Sequence, residues 1–287
     1  MMWEAWFKIL AVLILAPIGG AVLMGIDRIL TARMQNRVGP PLLQPIYDVF
    51  KLLGKEPILL NRIQVIYAFL HLAFIVLSVI FLVMGQDLLM LLFIIAFANI
   101  ALILGGMCVR SPYSRIGSQR EILQMVAYEP ILVLMVVGIY LVTGSFLASD
   151  IAASGRPLLF SLPLIFIAFL LVLTVKLQKS PFDLATSHHA HQEIVKGITI
   201  EYSGPYLAIL EIAHFYKIAL LFIMIMLFWL PNIYIALALA AGCYFLEIVI
   251  DNAFARLTPI WMLQYMWTVG LGMAFTNIIW LYMGRGL

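Results

Sequence analysis

The stretch from Leu88 to Val109, LLMLLFIIAFANIALILGGMCV, decides the fold, because it contains no charged residue. About 20 apolar residues in a helix span the roughly 30 Å of hydrocarbon in a bilayer. The same pattern recurs along the chain and predicts about eight membrane-spanning helices. They lie near Ala5–Ile26, Val65–Met84, Leu88–Val109, Val126–Val142, Leu159–Val175, Pro205–Leu230, Ile233–Ile250 and Gln264–Met283.

The composition of the 287 residues agrees with a membrane protein, since 64% are hydrophobic and 11% are charged. An average globular chain is about 45–50% apolar and about 25% charged. These values exclude a soluble enzyme, a disordered chain and a nucleic-acid-binding domain. We therefore predict an all-α polytopic membrane protein, with residues 1–287 forming a single transmembrane domain and the first span retained rather than cleaved as a signal.

Lysine and arginine side chains are concentrated in the loops after the first, third, fifth and seventh predicted spans. On the opposite side we find only Lys8, Arg156 and Arg285. By the positive-inside rule, the basic loops face the cytoplasm and both termini lie outside. We therefore expect a multi-pass protein of the cell (inner) membrane whose working surface is cytoplasmic.

The first cytoplasmic loop contains a short amphipathic pattern. Pro45 suits the first turn of a helix, and Gly54 followed by Pro57 suits its end. Apolar residues at i, i+3, i+4 and i+7 predict a helix that lies along the membrane interface. These residues are Ile46, Val49, Phe50 and Leu53.

Charged residues around this helix suit either of two partners. Anionic lipid head groups need only positive charge. A soluble protein could pair its carboxylates with Arg33 and Arg37, and Gly39-Pro40-Pro41 would fix the backbone path beside the membrane. The residues predicted to dock a soluble arm are Arg28, Arg33, Arg37, Asp48, Lys51 and Asp183.

Carboxylates inside membrane spans are costly, so each one is a candidate functional group. Those of this chain lie in the cytoplasmic half of the spans or on that face, which indicates an acid-lined cavity that opens inward. Neighbouring titratable groups can relay protons, and Lys217 needs a carboxylate partner such as Glu211. The alternative is a set of static ion pairs that fix helix packing. The predicted ion path comprises Glu129, Glu193, Glu201, Glu211, His214, Lys217, Glu247 and Asp251.

Metal and catalytic sites are not predicted in this chain. Cys108 and Cys243 are too few for a four-thiolate iron–sulfur cluster or a Cys-rich zinc site. Three histidines between positions 188 and 191 lack a second ligand pair at suitable spacing. We expect His71, in the second span, to be a hydrogen-bonded core residue.

Three motifs resemble those of subunit 1 of NADH dehydrogenase, the membrane subunit that joins the two arms of respiratory complex I. The stretch PFDLATSHHAHQE, which starts at Pro181, is most similar to the corresponding membrane subunit of energy-converting nickel–iron hydrogenases of the Ech type. The three motifs run from Asp27-Arg28 through Arg37-Val38-Gly39-Pro40 to Lys51-Leu52-Leu53-Gly54-Lys55-Glu56, from Tyr113 to Glu129, and from Pro181 to Glu201-Tyr202-Ser203-Gly204.

This resemblance implies a membrane component that has no redox centre of its own and couples electron transfer in a docked arm to proton or sodium translocation. The implied partners are the large and small hydrogenase subunits, an iron–sulfur subunit, an antiporter-like membrane subunit and, through the complex, ferredoxin. The nickel–iron site and the iron–sulfur clusters would lie in those partners. The resemblance implies that the acidic path of the family corresponds here to Glu129, Glu193, Glu201 and Glu211. It also implies that Asp183 and Arg37 lie near the arm junction. Glu247 and Asp251 are predicted from their depth and spacing alone.

One departure from the family pattern keeps alternatives open. Members that belong to complex I carry several acidic residues after the Pro-Phe-Asp motif, whereas Ala185 to Gln192 holds histidines here. The alternatives are a complex I subunit that lines a quinone chamber, a structural anchor with no ion path, and a stand-alone solute transporter. Nickel content and sensitivity to quinone analogues distinguish the hydrogenase from complex I.

Overall fold

The structure is a computed structural model that describes residues 2–153, 155–185 and 194–284. Regular secondary structure in these ranges is helical, apart from one isolated β-bridge between Asp87 and Leu147. The α-helices are α1 (Met2–Met34), α2 (Gln44–Leu53), α3 (Arg62–Val83), α4 (Leu88–Met107), α5 (Pro112–Thr143), α6 (Ala148–Ala153), α7 (Leu158–Ser161), α8 (Pro163–Lys176), α9 (Gly204–Met226), α10 (Ile233–Ala253), α11 (Pro259–Tyr265) and α12 (Leu271–Gly284).

Seven segments within the described ranges are long and apolar enough to cross a bilayer. This confirms the prediction of an all-α polytopic membrane protein. The last segment combines α11, a π-helical turn at Met266–Gly270 and α12. The segments are Trp6–Met34, Arg62–Val83, Leu88–Met107, Pro112–Thr143, Gly204–Trp229, Ile233–Ala253 and Pro259–Met283.

The predicted fifth span, Leu159–Val175, is not one continuous helix. It is divided at Leu162, whose φ of −125° and ψ of 46° lie outside the helical region. Pro163 causes the break, because proline lacks an N–H and disfavours helical geometry in the residue before it. The remaining helix α8 has 14 residues and extends roughly 21 Å, which is less than the hydrocarbon thickness.

Two other helices extend further into the predicted cytoplasmic loops than expected. Helix α1 continues to Met34, so Arg28 and Arg33 lie on its last turns rather than in a loop. The helix ends just before Asn36, which adopts a φ of 61°. Helix α5 already starts at Pro112, so Glu129 lies in mid-helix and does not open a span. Asparagine tolerates the left-handed conformation that ends a helix, and proline suits a helix start.

The chain forms two compact units. In unit 1 (Met1–Met84, Phe93–Ile122 and Asp183–Leu220), α1 packs against α2 and α3. Gly20 brings α1 against the backbone of Phe215 in α9, and the Tyr216 hydroxyl donates to the Leu13 carbonyl at 2.6 Å. The residues that hold α1 close to α9 are therefore a glycine and a tyrosine hydroxyl.

Unit 2 (Gly85–Leu92, Leu123–Phe182 and Leu221–Leu287) is built around α8. Helix α8 packs against α10 and α12, and its residues from Ile165 to Lys176 are mostly buried. Asn277 of α12 holds the break before α8. Its side chain accepts hydrogen bonds from the Leu164 and Ile165 amides at 2.9 and 3.1 Å and donates to the Ser161 carbonyl at 3.1 Å.

Candidate functional site

The helix predicted in the first loop is present as α2. Pro45 lies in its first turn and Gly54 follows its last residue, as the sequence predicts. Val49 is buried, whereas Phe50 and Leu53 of the predicted apolar face are 67% and 47% exposed. Part of that face therefore packs on the protein, and part is available to lipid or to another chain.

Arg28 and Asp48 join α1 to α2. The Arg28 guanidinium donates from Nη1 to Asp48 Oδ2 at 2.7 Å, and Gln44 donates to Oδ1 at 2.9 Å. Burial alone would raise the pKa of Asp48, but the hydrogen bonds from Arg28 and Gln44 and the charges of Arg28 and Lys51 outweigh it and lower that pKa. Asp48 is therefore an anion that holds the interfacial helix in place.

The residues around this ion pair line a cavity of about 210 Å³ in unit 1, and it is open at the exposed Lys51 and Lys55. Helices α1, α2 and α9 and the residue Lys196 form its walls. Lys196 Nζ lies 3.8 Å from Glu211 Oε1, so a second ion pair borders the cavity. The charged residues that line it are Arg28, Asp48, Lys51, Lys55, Lys196 and Glu211.

A carboxylate acts on Lys217, as the sequence predicts, but it is not Glu211. Glu211 pairs with Lys196, and the carboxylate whose charge acts on Lys217 is Glu121 of α5. Glu121 is 5% exposed, and its Oε2 has no hydrogen-bond partner among the described residues. The predicted path does not include Glu121, which lies between the predicted spans Leu88–Val109 and Val126–Val142.

The remaining predicted residues of unit 1 differ in exposure. Arg33 and Arg37 are exposed, and the Arg37 guanidinium donates to the Gln35 side-chain carbonyl. Asp183 is buried, and Glu201 and His214 are half-buried. The residues predicted to dock a soluble arm thus fall into three groups, which are the exposed Arg33 and Arg37, the cavity-lining Arg28, Asp48 and Lys51, and the buried Asp183.

Among the carboxylates of the predicted path that the structure describes, Glu247 is the most deeply buried. It lies in α10 within unit 2 and is 1% exposed. Neither of its carboxylate oxygens has a hydrogen-bond partner in the described part of the chain. The Thr174 hydroxyl is a polar group that interacts with this carboxylate, and it also donates to the Leu170 carbonyl at 3.2 Å.

Two lysines near the end of α8 interact with other predicted carboxylates of unit 2, one through an ion pair and one through its charge. Lys179 Nζ lies 3.3 Å from Asp251 Oδ2, and Asp251 also accepts from the Ser180 amide at 2.8 Å. Lys176 lies 4.2 Å from the centre of the Tyr128 ring, and its charge acts on Glu129. The sequence placed both lysines in a loop, whereas the structure buries them.

The structure also places His71 and the two cysteines. His71 is a buried core residue whose Nδ1 lies 2.7 Å from the Ala98 carbonyl oxygen, as expected. Both cysteines are free thiols. Within the described ranges, no group of three or more His, Cys, Asp or Glu side chains could hold a metal ion. Glu193, Arg285 and the three histidines between 188 and 191 lie outside those ranges.

The fold and these charged residues define a polytopic membrane protein with ionisable groups buried in its helical units. The profile of the family described as NADH dehydrogenase matches residues 7–282. The chain is 34% identical to the H subunit of NADH-quinone oxidoreductase from Bacillus cytotoxicus, over 96% of this chain and 93% of the relative. It is 31% identical to the H subunit of the same enzyme from Bacillus cereus, over 94% and 91%.

A solved structure agrees with these relatives. A chain of the membrane-bound sulfane sulfur reductase, an archaeal respiratory membrane complex, matches with a TM-score of 0.87 and 25% identity, over 97% of this chain and 99% of that chain. This chain belongs to the NADH dehydrogenase family. It is a membrane subunit of a complex I-like oxidoreductase complex, which confirms the resemblance on the three motifs.

Proposed function

We propose that this chain is the membrane subunit of an energy-converting nickel–iron hydrogenase complex. It anchors a soluble arm that oxidises ferredoxin and evolves hydrogen, and it couples electron transfer in that arm to translocation of protons or sodium ions. Its partners are the large and small hydrogenase subunits, an iron–sulfur subunit and an antiporter-like membrane subunit. The long basic loops face the cytoplasm, where the arm docks.

The observation that carries the coupling role is the environment of Glu247. A static ion pair that only fixes helix packing would give a buried carboxylate a close partner, because an unpaired buried charge costs several kcal/mol. Glu247 is 1% exposed, and its two oxygens have no hydrogen-bond partner among the described residues. Such a carboxyl group can bind and release a proton as the charges around it change.

The neighbours of Glu247 supply such charges. Lys179 and Asp251 act on it with opposite signs, and both belong to unit 2. In unit 1, Glu121 acts on Lys217, and Glu211 pairs with Lys196. Each unit thus contains carboxylates beside lysines, so the protonation of one group depends on the charge of its neighbour.

A second candidate function is a subunit of a quinone-reducing complex. It is favoured by the relatives, which are named as H subunits of NADH-quinone oxidoreductase. The hydrogenase assignment is supported by the PFDLATSHHAHQE stretch, which resembles Ech-type subunits. The neighbour named sulfane sulfur reductase adds a third acceptor to be assayed.

The experiment that tests the proposal is purification of the native complex in mild detergent through a tag on this chain. Nickel, ferredoxin-linked hydrogen evolution, quinone reduction and sulfide production from sulfane sulfur are assayed on one sample. Nickel together with hydrogen evolution supports the hydrogenase. Quinone or sulfane sulfur reduction without nickel overturns it, and a chain that purifies alone overturns every complex-bound function.

A further inference from the structure

A proline interrupts the backbone hydrogen bonds of α5 directly after Glu129. Pro130 lies inside this helix and has no N–H, so it cannot donate to the carbonyl of Val126 four residues earlier. A backbone carbonyl without a donor is costly in a membrane-spanning helix, because lipid cannot supply one. The Val126 carbonyl is therefore satisfied best by a donor from another part of the chain.

Trp267 supplies that donor. Its indole Nε1–H donates to the Val126 carbonyl oxygen, with 3.4 Å between the nitrogen and the oxygen. Trp267 lies in the π-helical turn Met266–Gly270 of the last span, and this turn belongs to unit 2, as does the part of α5 that contains Val126. The last span thus provides a hydrogen bond to the carbonyl that Pro130 leaves without its usual partner.

A second contact joins the same turn to α5. A Cβ added to Gly270 would lie 2.6 Å from Cδ1 of Ile131, so the two helices approach closely at this glycine. Ile131 is fully buried and directly follows Pro130. The turn therefore contacts α5 on both sides of the proline, at Val126 through Trp267 and at Ile131 through Gly270.

The π-helical turn also packs against α8. Hydrogen bonds in such a turn join residues i and i+5 instead of i and i+4, which changes the side chains that face a neighbouring helix, and π-helical turns occur frequently at functional sites. Helix α8 ends at Lys176, whose charge acts on Glu129. The turn thus packs against both helices that carry this pair of charged residues.

We propose that Trp267 is a positioning residue for Glu129. Its indole N–H holds the backbone of α5 where Pro130 interrupts the helix, so that the Glu129 side chain stays where the charge of Lys176 acts on it. Trp267 acts only through the backbone of α5 and does not itself carry the ion. This inference rests on the proposed role of Glu129 in the coupling path, and it identifies the residue of the last span that supports this role.

The hydrogen bond is tested by amide hydrogen exchange in the intact complex, measured by mass spectrometry on the α5 peptide that contains Val126. One hydrogen bond in a membrane protein shifts an opening equilibrium about threefold. Trp267→Phe keeps an aromatic ring but has no N–H, so we expect this peptide to exchange about threefold faster. Trp280→Phe is the matched control and should exchange as wild type, because Trp280 is an exposed tryptophan of α12 in the same unit.

Pro130→Ala makes the exchange test specific. Alanine restores the N–H that donates to the Val126 carbonyl, so this carbonyl no longer depends on the indole. We therefore expect Trp267→Phe to accelerate exchange about threefold in the wild-type background and hardly at all in the Pro130→Ala background. An equal acceleration in both backgrounds, or none in either, overturns the proposal.

The positioning role is tested by the number of ions taken up per electron transferred in inverted membrane vesicles. A merely structural role would lower the amount of complex or its electron transfer and leave this ratio unchanged. We expect Trp267→Phe to lower the ratio, and to cause no further loss in the Glu129→Gln background, because Trp267 acts through Glu129. Trp280→Phe should keep the wild-type ratio.

The outcomes separate this inference from the function on which it rests. An unchanged ratio in Trp267→Phe, or a further loss in the Glu129→Gln background, overturns the positioning role of Trp267. Normal coupling in Glu129→Gln alone shows instead that Glu129 lies outside the coupling path, which refutes the proposed role of Glu129. The exchange measurement then still decides whether Trp267 holds the backbone of α5 at Pro130.

Discussion

Asn277 offers a stability test of the divided fifth span. It is fully buried in α12, and its side chain makes three hydrogen bonds that cross the break between α7 and α8. The amides of Leu164 and Ile165 are first-turn N–H groups, which have no partner inside their own helix. Asn277→Ala leaves these two donors and the Ser161 carbonyl without their partner.

The expected cost follows from the number of bonds. A hydrogen bond within a membrane protein contributes about 0.6 kcal/mol on average, and one in a soluble protein about 1 kcal/mol. Three lost bonds therefore cost about 2–3 kcal/mol, which shifts an opening equilibrium about 30- to 150-fold. Asn277→Asp retains the acceptor for both amides, so it should cost less.

Cys243 reports on this opening. It is buried in α10, which packs against α8 in the same unit. Its rate of maleimide labelling in the purified complex, measured on its own peptide by mass spectrometry, should rise about 30- to 150-fold in Asn277→Ala. Thr276→Ala is the control, because Thr276 bonds within its own helix. An unchanged labelling rate in Asn277→Ala would refute this account of the break.

Three further predictions address the rest of the chain. Gly20→Ala should sharply reduce the amount of assembled complex in membranes, because a Cβ would collide with the Phe215 backbone. Gly19 faces open space, so Gly19→Ala should assemble normally. Equal amounts of complex in the two variants would contradict the close approach of α1 and α9. Since the pKa of Asp48 is lowered from its usual value of 3.8, its stabilising effect should be fully present above that pH and disappear as the pH falls through the lowered pKa. The difference in unfolding temperature between wild type and Asp48→Asn, followed from pH 7 to pH 3, measures this stabilising effect. A difference that grows as the pH falls would contradict the lowered pKa of Asp48. Glu129→Gln should leave assembly and nickel content intact but impair coupled activity, and normal coupling would remove Glu129 from the relay.

The sequence predicts the features that depend on local signals. Pro45 and Gly54 mark the ends of α2, and the apolar runs mark the spans. Pro163 is a local signal for the break in the fifth span, but it lies within an apolar run that predicts one continuous span. The sequence predicts that His71 forms a hydrogen bond in the core, but it does not identify the Ala98 carbonyl as the partner.

The pairings of charged residues could not be predicted, because they join distant parts of the chain. Lys196 and Glu211, or Glu121 and Lys217, meet only once the helices have packed. Lys176 and Lys179 follow an apolar run and so suggest a loop, yet contacts with Tyr128 and Asp251 bury them. Nothing in the sequence around Asn277 indicates that its side chain hydrogen-bonds to the helix break more than 100 positions earlier in the chain.

The coupling role proposed for this chain is tested most directly by ion uptake in inverted membrane vesicles that contain the complex. Glu247→Gln is compared with wild type and with Asp150→Asn, an exposed carboxylate of the same unit. The account predicts that Glu247→Gln assembles and keeps its nickel but takes up far fewer ions per electron transferred, while Asp150→Asn behaves as wild type. An unchanged ratio of ions to electrons in Glu247→Gln would contradict the claim that this buried carboxyl group belongs to the coupling path.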